Sequence, residues 1–256
     1  MKKTKLFVFF MMLCMAMPMV GMAKKKGKKG KKKYAMKVNA RPLVLPRGMS
    51  EVTTDLNFKS SEVAGKSTSS TGFGVGFKNG VTRGLEIGGT TGLGLDPEFD
   101  WNSRLGLQAG YRLKGKKKVL ALAAQVAIPL NFGEGQDVLS NINAGVATRY
   151  RINKMIALHT GEGLISLGFG DEVTTRINIP FGVAFQFSRK FNLRLDTRLL
   201  SFGSGGSTSV GDSLPVILRG IFAINRMMDV GAGLNKDLAI EGSPTTLMAL
   251  FNYRIR

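Results

Sequence analysis

Hydrophobic and polar residues alternate along most of this chain with a period of two, which is the period of a β-strand with two different faces. In the stretch VTTRINIPFGVAFQF, residues 173–187, alternate positions read Val, Thr, Ile, Ile, Phe, Val, Phe, Phe, and polar or small residues occupy the positions between them. About twelve such segments predict about twelve strands, near residues 51–59, 72–78, 84–93, 103–113, 118–130, 138–152, 155–166, 172–188, 191–200, 213–225, 229–235 and 246–255.

The links between these segments alternate in length and in charge. Longer links such as GLDPEFDWN and NFGEGQD follow the odd-numbered segments, and shorter turns such as NKM and SRK follow the even-numbered ones. An up-and-down antiparallel sheet places all links of one kind at the same end. The long links hold most of the acids, including Asp96, Glu98, Asp100, Glu134, Asp137, Asp171 and Asp212, whereas the short turns are basic, as at Lys116, Lys117, Lys118, Lys154, Arg189 and Lys190.

The character of the two faces favours a membrane barrel over a soluble sandwich or barrel. The apolar face is nearly free of charge in successive segments, for example along Leu105–Leu113 and Leu120–Leu130, and twelve such faces would overfill the interior of a 256-residue soluble domain. A membrane barrel turns the apolar face to lipid and keeps a polar lumen, and its closure leaves no strand edge unpaired in the hydrocarbon. The predicted fold is therefore an all-β, transmembrane, antiparallel up-and-down barrel of about twelve strands.

The N terminus carries the features of an export signal. A basic start (MKKTK), an apolar run (LFVFFMMLCMAMPMV) and small residues before the next lysine predict a signal peptide over residues 1–23. Leu13 precedes Cys14, so the pattern of a bacterial lipoprotein is missing. Residues 24–48 are interpreted as a Lys-rich periplasmic tail and residues 49–256 as the barrel. The eight lysines of Lys24–Lys33 oppose export, which leaves an uncleaved anchor as the alternative.

These features together resemble a known class of protein. The turn and strand GVTRGLEIGG (Gly80–Gly89), the repeated alternating segments and the alternating link lengths resemble a Gram-negative outer-membrane β-barrel with porin-like architecture, over residues ~49–256. The resemblance implies an integral protein of the outer membrane, with both termini in the periplasm and the long links outside. Such barrels usually end on an aromatic residue, whereas this chain ends LFNYRIR.

The alternation also assigns residues to the lumen. Twelve bases fall on the polar faces against three acids, Asp55, Glu86 and Asp196, so we expect a basic interior that concentrates anions. The bases are Lys59, Lys78, Arg104, Arg112, Arg149, Arg151, Arg176, Arg194, Arg198, Arg219, Arg254 and Arg256.

This interior predicts a small diffusion channel or transporter that favours small anionic or polar solutes. The alternative is a structural or anchoring barrel with a closed lumen, because ~8 strands leave a filled interior and ~16 an open one. Removing the lysines of residues 1–33 lowers the formal net charge from +20 to +9, and with no aromatic interleaving in the lysine run we expect no nucleic-acid partner.

The sequence contains little that indicates catalysis or metal binding. His159 is the only histidine, and a lipid hydrolase would need a hydroxyl beside it, for which Ser140 and Ser166 are the nearest candidates along the chain. We therefore expect no enzyme, no metal site and no cofactor, with the hydrolase as the third possibility. Besides outer-membrane lipid and small solutes, an anionic phospholipid or cell-wall polymer is a candidate partner for Lys24–Lys33.

Two further expectations concern strand geometry. Pro129 and Pro215 fit strand ends, whereas Pro180 predicts a bulge or a different boundary, because proline removes a ladder hydrogen bond. Phe99 and Trp101 are candidates for an aromatic girdle at the membrane interface.

Overall fold

Antiparallel hydrogen bonding joins the strands of this protein into a closed ring of twelve. The fold is described from a computed structural model, which covers residues 34–63, 66–96, 100–113, 119–132, 138–139, 141–160, 165–168, 174–203, 208–209 and 213–256. The predicted twelve-stranded antiparallel barrel is confirmed. The signal-peptide region and the run Lys24–Lys33 lie outside the described residues, so their assignments stay predictions.

Most strand bounds lie within about three residues of the predicted segments, but the first two strands extend four and six residues further into the link between them than predicted. The strands are β1 Ser50–Val63, β2 Lys66–Gly80, β3 Leu85–Asp96, β4 Asp100–Arg112, β5 Leu120–Asn131, β6 Asn141–Arg151, β7 Ile156–His159, β8 Ile165–Gly168, β9 Thr174–Gln186, β10 Phe191–Gly203, β11 Thr208–Ser209, β12 Pro215–Ala223, β13 Met228–Asp237 and β14 Thr245–Ile255.

Fourteen segments make twelve barrel strands because two strands are interrupted. Both β7 and β8 lie between β6 and β9, so together they form the seventh strand of the wall. Similarly, β11 and β12 pair with successive parts of β10. Each strand otherwise pairs with the next along the chain, and β14 pairs with β1 from Ser50↔Ile255 to Ser60↔Thr245, which closes the ring.

The outer face of the wall is apolar and the inner face is polar. Large hydrophobic side chains are exposed along the outer face of successive strands, including Leu107 (41%), Phe181 (37%), Leu195 (41%) and Leu218 (39%). Charged and amide side chains on the alternate positions point into the lumen. Burial of apolar surface inside the ring therefore does not hold this fold together, in contrast to a soluble barrel.

Prolines and glycines mark the irregular points of the wall. Pro215 begins β12 as expected, and Pro180 lies where the β9–β10 register shifts between Arg198 and Leu200, so the bulge prediction is confirmed. Pro129 lies inside β5, opposite Gly106 of β4 and beyond Ala127, the last residue of the β5–β6 ladder.

The chain before β1, which we call the N-terminal segment (residues 34–49), packs against the inner wall. It contains one 3₁₀ turn, Val38–Ala40, and its side chains Val44 (2% exposed), Leu45 (6%) and Met49 (1%) are buried. Residues 34–48 of the predicted tail are thus docked against the wall, and the assignment of residues 24–48 to the periplasm stays a prediction. Within the described part of the chain, no helix is long and apolar enough to cross a membrane.

The exposure of apolar side chains on the outer face can be tested at two neighbouring residues of β4. Leu107→Arg places a charge on the exposed outer face, whereas Gln108→Arg places the same charge in the lumen at nearly the same depth. If lipid surrounds the ring, we expect Leu107→Arg to lower the free energy of unfolding by about 2–4 kcal/mol near the midplane and Gln108→Arg to lower it far less. Urea titration in phospholipid vesicles, followed by fluorescence of the single Trp101, measures both; equal losses would contradict the inside-out polarity.

Candidate functional site in the barrel lumen

The lumen contains a cavity of about 630 Å³ whose lining is rich in arginine. Among the described residues that line it, seven are basic and three are acidic. The bases are Arg41, Lys78, Arg149, Arg194, Arg198, Arg219 and Arg254, and the acids are Glu51, Asp196 and Asp229. A smaller cavity of about 310 Å³ lies beside it and shares Lys78 and Gln125 with it. The inner face thus provides a confined space with an excess of positive charge.

Three charged or polar side chains meet on the wall between β7 and β10. Asp196 Oδ1 lies 3.3 Å from Arg194 Nη2 and 3.3 Å from His159 Nδ1, and Arg194 Nη2 lies 3.2 Å from the same ring nitrogen. The imidazole lies over Gly182, where a Cβ would collide with the ring and come within 2.6 Å of Asp196 Oδ1. Glycine at this position therefore makes room for the group.

This arrangement gives His159 charged neighbours rather than a nucleophile. His159 is 7% exposed, and the polar contacts described for its ring are a hydrogen bond with Arg194 and a close approach to Asp196. Thr160 faces away, because its hydroxyl donates to the Val146 carbonyl at 3.0 Å. Ser166 pairs with Asn143 and Arg176 further along the wall, and Ser140 lies outside the described residues. A hydrolytic centre would need a hydroxyl that the described residues do not place here.

The other bases assigned to the lumen lie at different levels of it. Arg149 donates to the carbonyls of Val38 and Arg41, and Arg198 Nη2 donates to Ser213 Oγ at 3.0 Å. Arg219 lines the larger cavity. Of the others, Arg112 donates to the Arg83 carbonyl at the short-turn end, Arg176 is exposed in β9, and the side chain of Arg104 lies outside the described residues.

Two of the assigned acids are committed to other contacts. Glu86 is 6% exposed and its Oε2 accepts a hydrogen bond from the Leu45 backbone N–H at 2.7 Å. Asp55 accepts a hydrogen bond from Asn57 and lies against Gly74, where a Cβ would be 2.7 Å from its Oδ2. Asp196 is therefore the assigned acid that lines the larger cavity.

Arg254 is part of a buried ion cluster that links the N-terminal segment to the wall. Asp229 Oδ2 lies 2.5 Å from Arg41 Nη1 and 2.8 Å from Arg254 Nη2, and Arg254 Nε lies 2.5 Å from Glu51 Oε2. Two guanidinium groups thus face two carboxylates, so the cluster is neutral as a whole. Arg254, which alternation assigns to the lumen, lines the larger cavity, but it is 4% exposed and its charge is matched by Glu51 and Asp229.

Tyr34 packs on the guanidinium groups of this cluster. Its ring centroid lies 5.2 Å from Arg254 Cζ and 5.6 Å from Arg41 Cζ, within cation–π range. Burial raises the pKa of the Tyr34 hydroxyl above its ordinary value. The cluster thereby holds both Tyr34 and Arg41 of the N-terminal segment.

Asn39 forms a second, uncharged attachment. Its backbone N–H donates to Gln186 Oε1 at 3.1 Å, and its side-chain amide donates to the carbonyls of Met155 (3.3 Å) and Ala184 (3.4 Å). Asn192, fully buried, donates back to Asn39 Oδ1 at 3.0 Å. Buried amides are stable only when they are hydrogen-bonded in this way, so Asn39 fixes the segment against β9 and β10.

Sequence reasoning missed these attachment residues, although a signal for them exists. Five of the strands have a small lumen-facing residue near the short-turn end. Five buried alanines share this position, namely Ala123, Ala147, Ala157, Ala184 and Ala223. Small side chains at one level of a lumen indicate that something else fills the space there.

No protein-family model and no curated protein matches this chain. Several solved structures, however, are similar to it. The NanC porin, in a rhombohedral crystal form, aligns with a TM-score of 0.58 at 6% identity, over 80% of this chain and 100% of that one. The KdgM porin aligns with a TM-score of 0.53 at 8% identity, over 80% and 99%. The fold is that of the outer-membrane porins.

The ion cluster makes a prediction about the N-terminal segment. Arg41→Ala removes the two charge-assisted hydrogen bonds that Arg41 donates to Asp229. We expect the free energy of unfolding to fall by about 1.5–3 kcal/mol, because hydrogen bonds to charged groups contribute about that much. We also expect a protease to cleave residues 34–48 of the folded Arg41→Ala variant more readily than those of the wild type. Arg47→Ala is the matched control, because Arg47 is an exposed base of the same segment; equal effects of both substitutions would contradict the attachment.

Proposed function

We propose that this protein is an integral outer-membrane channel or transporter of a Gram-negative bacterium, with a basic lumen that favours small anionic or polar solutes. The single observation that carries the proposal is the luminal cavity of about 630 Å³ with seven bases and three acids in its lining. Clusters of basic side chains in a low-dielectric enclosure concentrate anions and favour their passage.

The porin fold supports the location and the class of activity. A neighbour of this fold, the KdgM porin, has a structure in complex with disordered oligogalacturonate. An acidic oligosaccharide is an anionic solute of the kind that a basic lumen would admit, although at 8% identity nothing about its binding residues carries over to this chain.

The luminal arginines differ in how well their charge is matched. Arg254 and Arg41 face Asp229 and Glu51, whereas Arg149 donates to backbone carbonyls, which are neutral. Arg194 shares the one carboxylate of Asp196 with His159. The positive field available to a solute therefore comes from the wall around β6, β10 and β12 rather than from the ion cluster.

The docked N-terminal segment favours a second candidate, a structural or anchoring barrel with a closed lumen. Asn39, Arg41, Val44 and Leu45 are all buried between the segment and the wall, as in a fixed plug. The run Lys24–Lys33 before it would give such a barrel a charged attachment for an anionic phospholipid or a cell-wall polymer. The two candidates differ in whether ions cross the folded protein.

Planar-bilayer recording across a salt gradient tests the channel. We expect stable conductance with a reversal potential on the anion side, and a shift toward zero in Arg194→Gln combined with Arg219→Gln, because both bases line the cavity. Lys236→Gln is the matched control, since Lys236 is an exposed base on the outer face of β13. A folded but silent barrel would reject the channel in favour of the closed one.

Loosening the N-terminal segment separates a narrowed channel from a sealed one. Asn39→Ala combined with Arg41→Ala removes both attachments, and we expect a larger single-channel conductance because the segment occupies lumen at the short-turn end. Arg47→Ala should leave the conductance unchanged. Equal conductance in all three proteins would show that the segment does not limit ion flow.

A further inference from the structure

Four short turns of the barrel repeat one sequence pattern. They read Val-Thr-Arg-Gly at residues 81–84, Ile-Asn-Lys-Met at 152–155, Phe-Ser-Arg-Lys at 187–190 and Ile-Asn-Arg-Met at 224–227. Each has an apolar residue first, a hydroxyl or amide second and a base third. We call these four turns the short-turn rim, because antiparallel pairing places them at the same end of the ring.

The second residue of each turn holds its backbone by accepting hydrogen bonds from N–H groups further along. Asn153 Oδ1 accepts from Met155 and Ile156 at 2.7 and 2.8 Å, and Asn225 Oδ1 accepts from Met227 and Met228 at 2.7 and 2.9 Å. Ser188 Oγ does the same at 3.1 and 3.0 Å, and Thr82 makes one such bond. These side-chain turns fix the position of the base that follows.

The bases and the apolar residues of the rim are both exposed. The bases in the third position, Arg83, Lys154, Arg189 and Arg226, are exposed, and the apolar residues in the first position are Val81 (41% exposed), Ile152 (55%), Phe187 (55%) and Ile224 (41%). A base beside an exposed apolar side chain, repeated around a ring, is the composition that a membrane interface takes, with the apolar group below the headgroups and the base among them.

Three exposed tyrosines lie on the outer wall close to the short-turn rim. Tyr111, Tyr150 and Tyr253 are 56%, 46% and 41% exposed, and each lies within two residues of the short-turn end of its strand. Amphipathic aromatic rings prefer the headgroup level of a bilayer. They therefore place the rim bases at the depth of lipid phosphates.

The links at the two ends of the barrel carry opposite charge. The short-turn stretches 81–84, 113–119, 152–155, 187–190 and 224–227 contain nine bases and no acid in the sequence. The opposite links, 64–65, 97–99, 132–140, 169–173, 204–214 and 238–244, contain seven acids and no base. An anionic surface is attracted to one end only.

We propose that the short-turn rim binds the phosphate groups of anionic phospholipid headgroups, with one site at each turn. This proposal rests on the membrane location proposed above. Phospholipid fits better than a soluble anionic polymer, because the base in the third position of each turn lies two residues after an exposed apolar side chain, which the acyl region of a lipid would cover. The bound leaflet then fixes the depth of the barrel and the direction in which it faces.

Lipid retention by the full chain tests the proposal. The protein is reconstituted with equal phosphatidylglycerol and phosphatidylcholine, and retained lipids are counted by native mass spectrometry. We expect preferential retention of phosphatidylglycerol, weakened about fivefold for each rim base removed. The variants are Lys154→Gln with Arg226→Gln, and a quadruple variant that adds Arg83→Gln and Arg189→Gln. Lys59→Gln with Lys236→Gln is the control, because it removes the same charge from two exposed bases away from the rim.

The outcomes separate this proposal from the one on which it rests. The lipid rim is overturned if the wild type retains the two lipids equally, or if the quadruple variant retains phosphatidylglycerol as the wild type does. In either case, a protein that inserts into vesicles still supports the membrane location. Failure of the wild type to insert overturns the location itself. Binding to purified cell-wall polymer that is lost in the quadruple variant, with phosphatidylglycerol retention unchanged, assigns the rim to the polymer instead. Far-ultraviolet circular dichroism checks that every variant keeps its strands.

Discussion

Backbone hydrogen bonding is the constraint on which this structure depends. A strand in hydrocarbon has no water to satisfy its N–H and C=O groups, so it needs a partner on each side. The pairing of β14 with β1 supplies the last set of partners and leaves the ring without an edge. Once the ring is closed, alternation sends half of the side chains outward and half into a shared interior. The polar lumen is therefore a consequence of how the wall is built.

The inner side chains of this twelve-stranded ring do not fill the space that it encloses. Along part of the lumen, the remaining space is the arginine-rich cavity, and at the short-turn end the N-terminal segment occupies it. The cavity is bounded by charged side chains of the wall, by the N-terminal segment and by small wall residues such as Ala147 and Ala184. Both candidate functions start from this shared interior.

The wall could be predicted from the sequence because the period of two is a local property. The strands predicted at 172–188 and 118–130 appear as Thr174–Gln186 and Leu120–Asn131, and the bulge expected near Pro180 lies in that register. The ion cluster could not be predicted, because Arg41 and Asp229 are 188 residues apart and meet only through the closed topology. Nothing local in residues 34–49 distinguishes a docked segment from a free one.

The ion cluster lies across the place where the ring closes. Glu51 is the second residue of β1, Arg254 stands directly opposite it in β14, and Asp229 belongs to the neighbouring strand β13. Arg41, just before β1, reaches over this junction to Asp229. The carboxylate of Asp229 can meet both guanidinium groups only after the last strand has joined the first. The cluster is thus complete only when assembly is complete, since Glu51 and Arg41 meet their partners only across the β14–β1 junction.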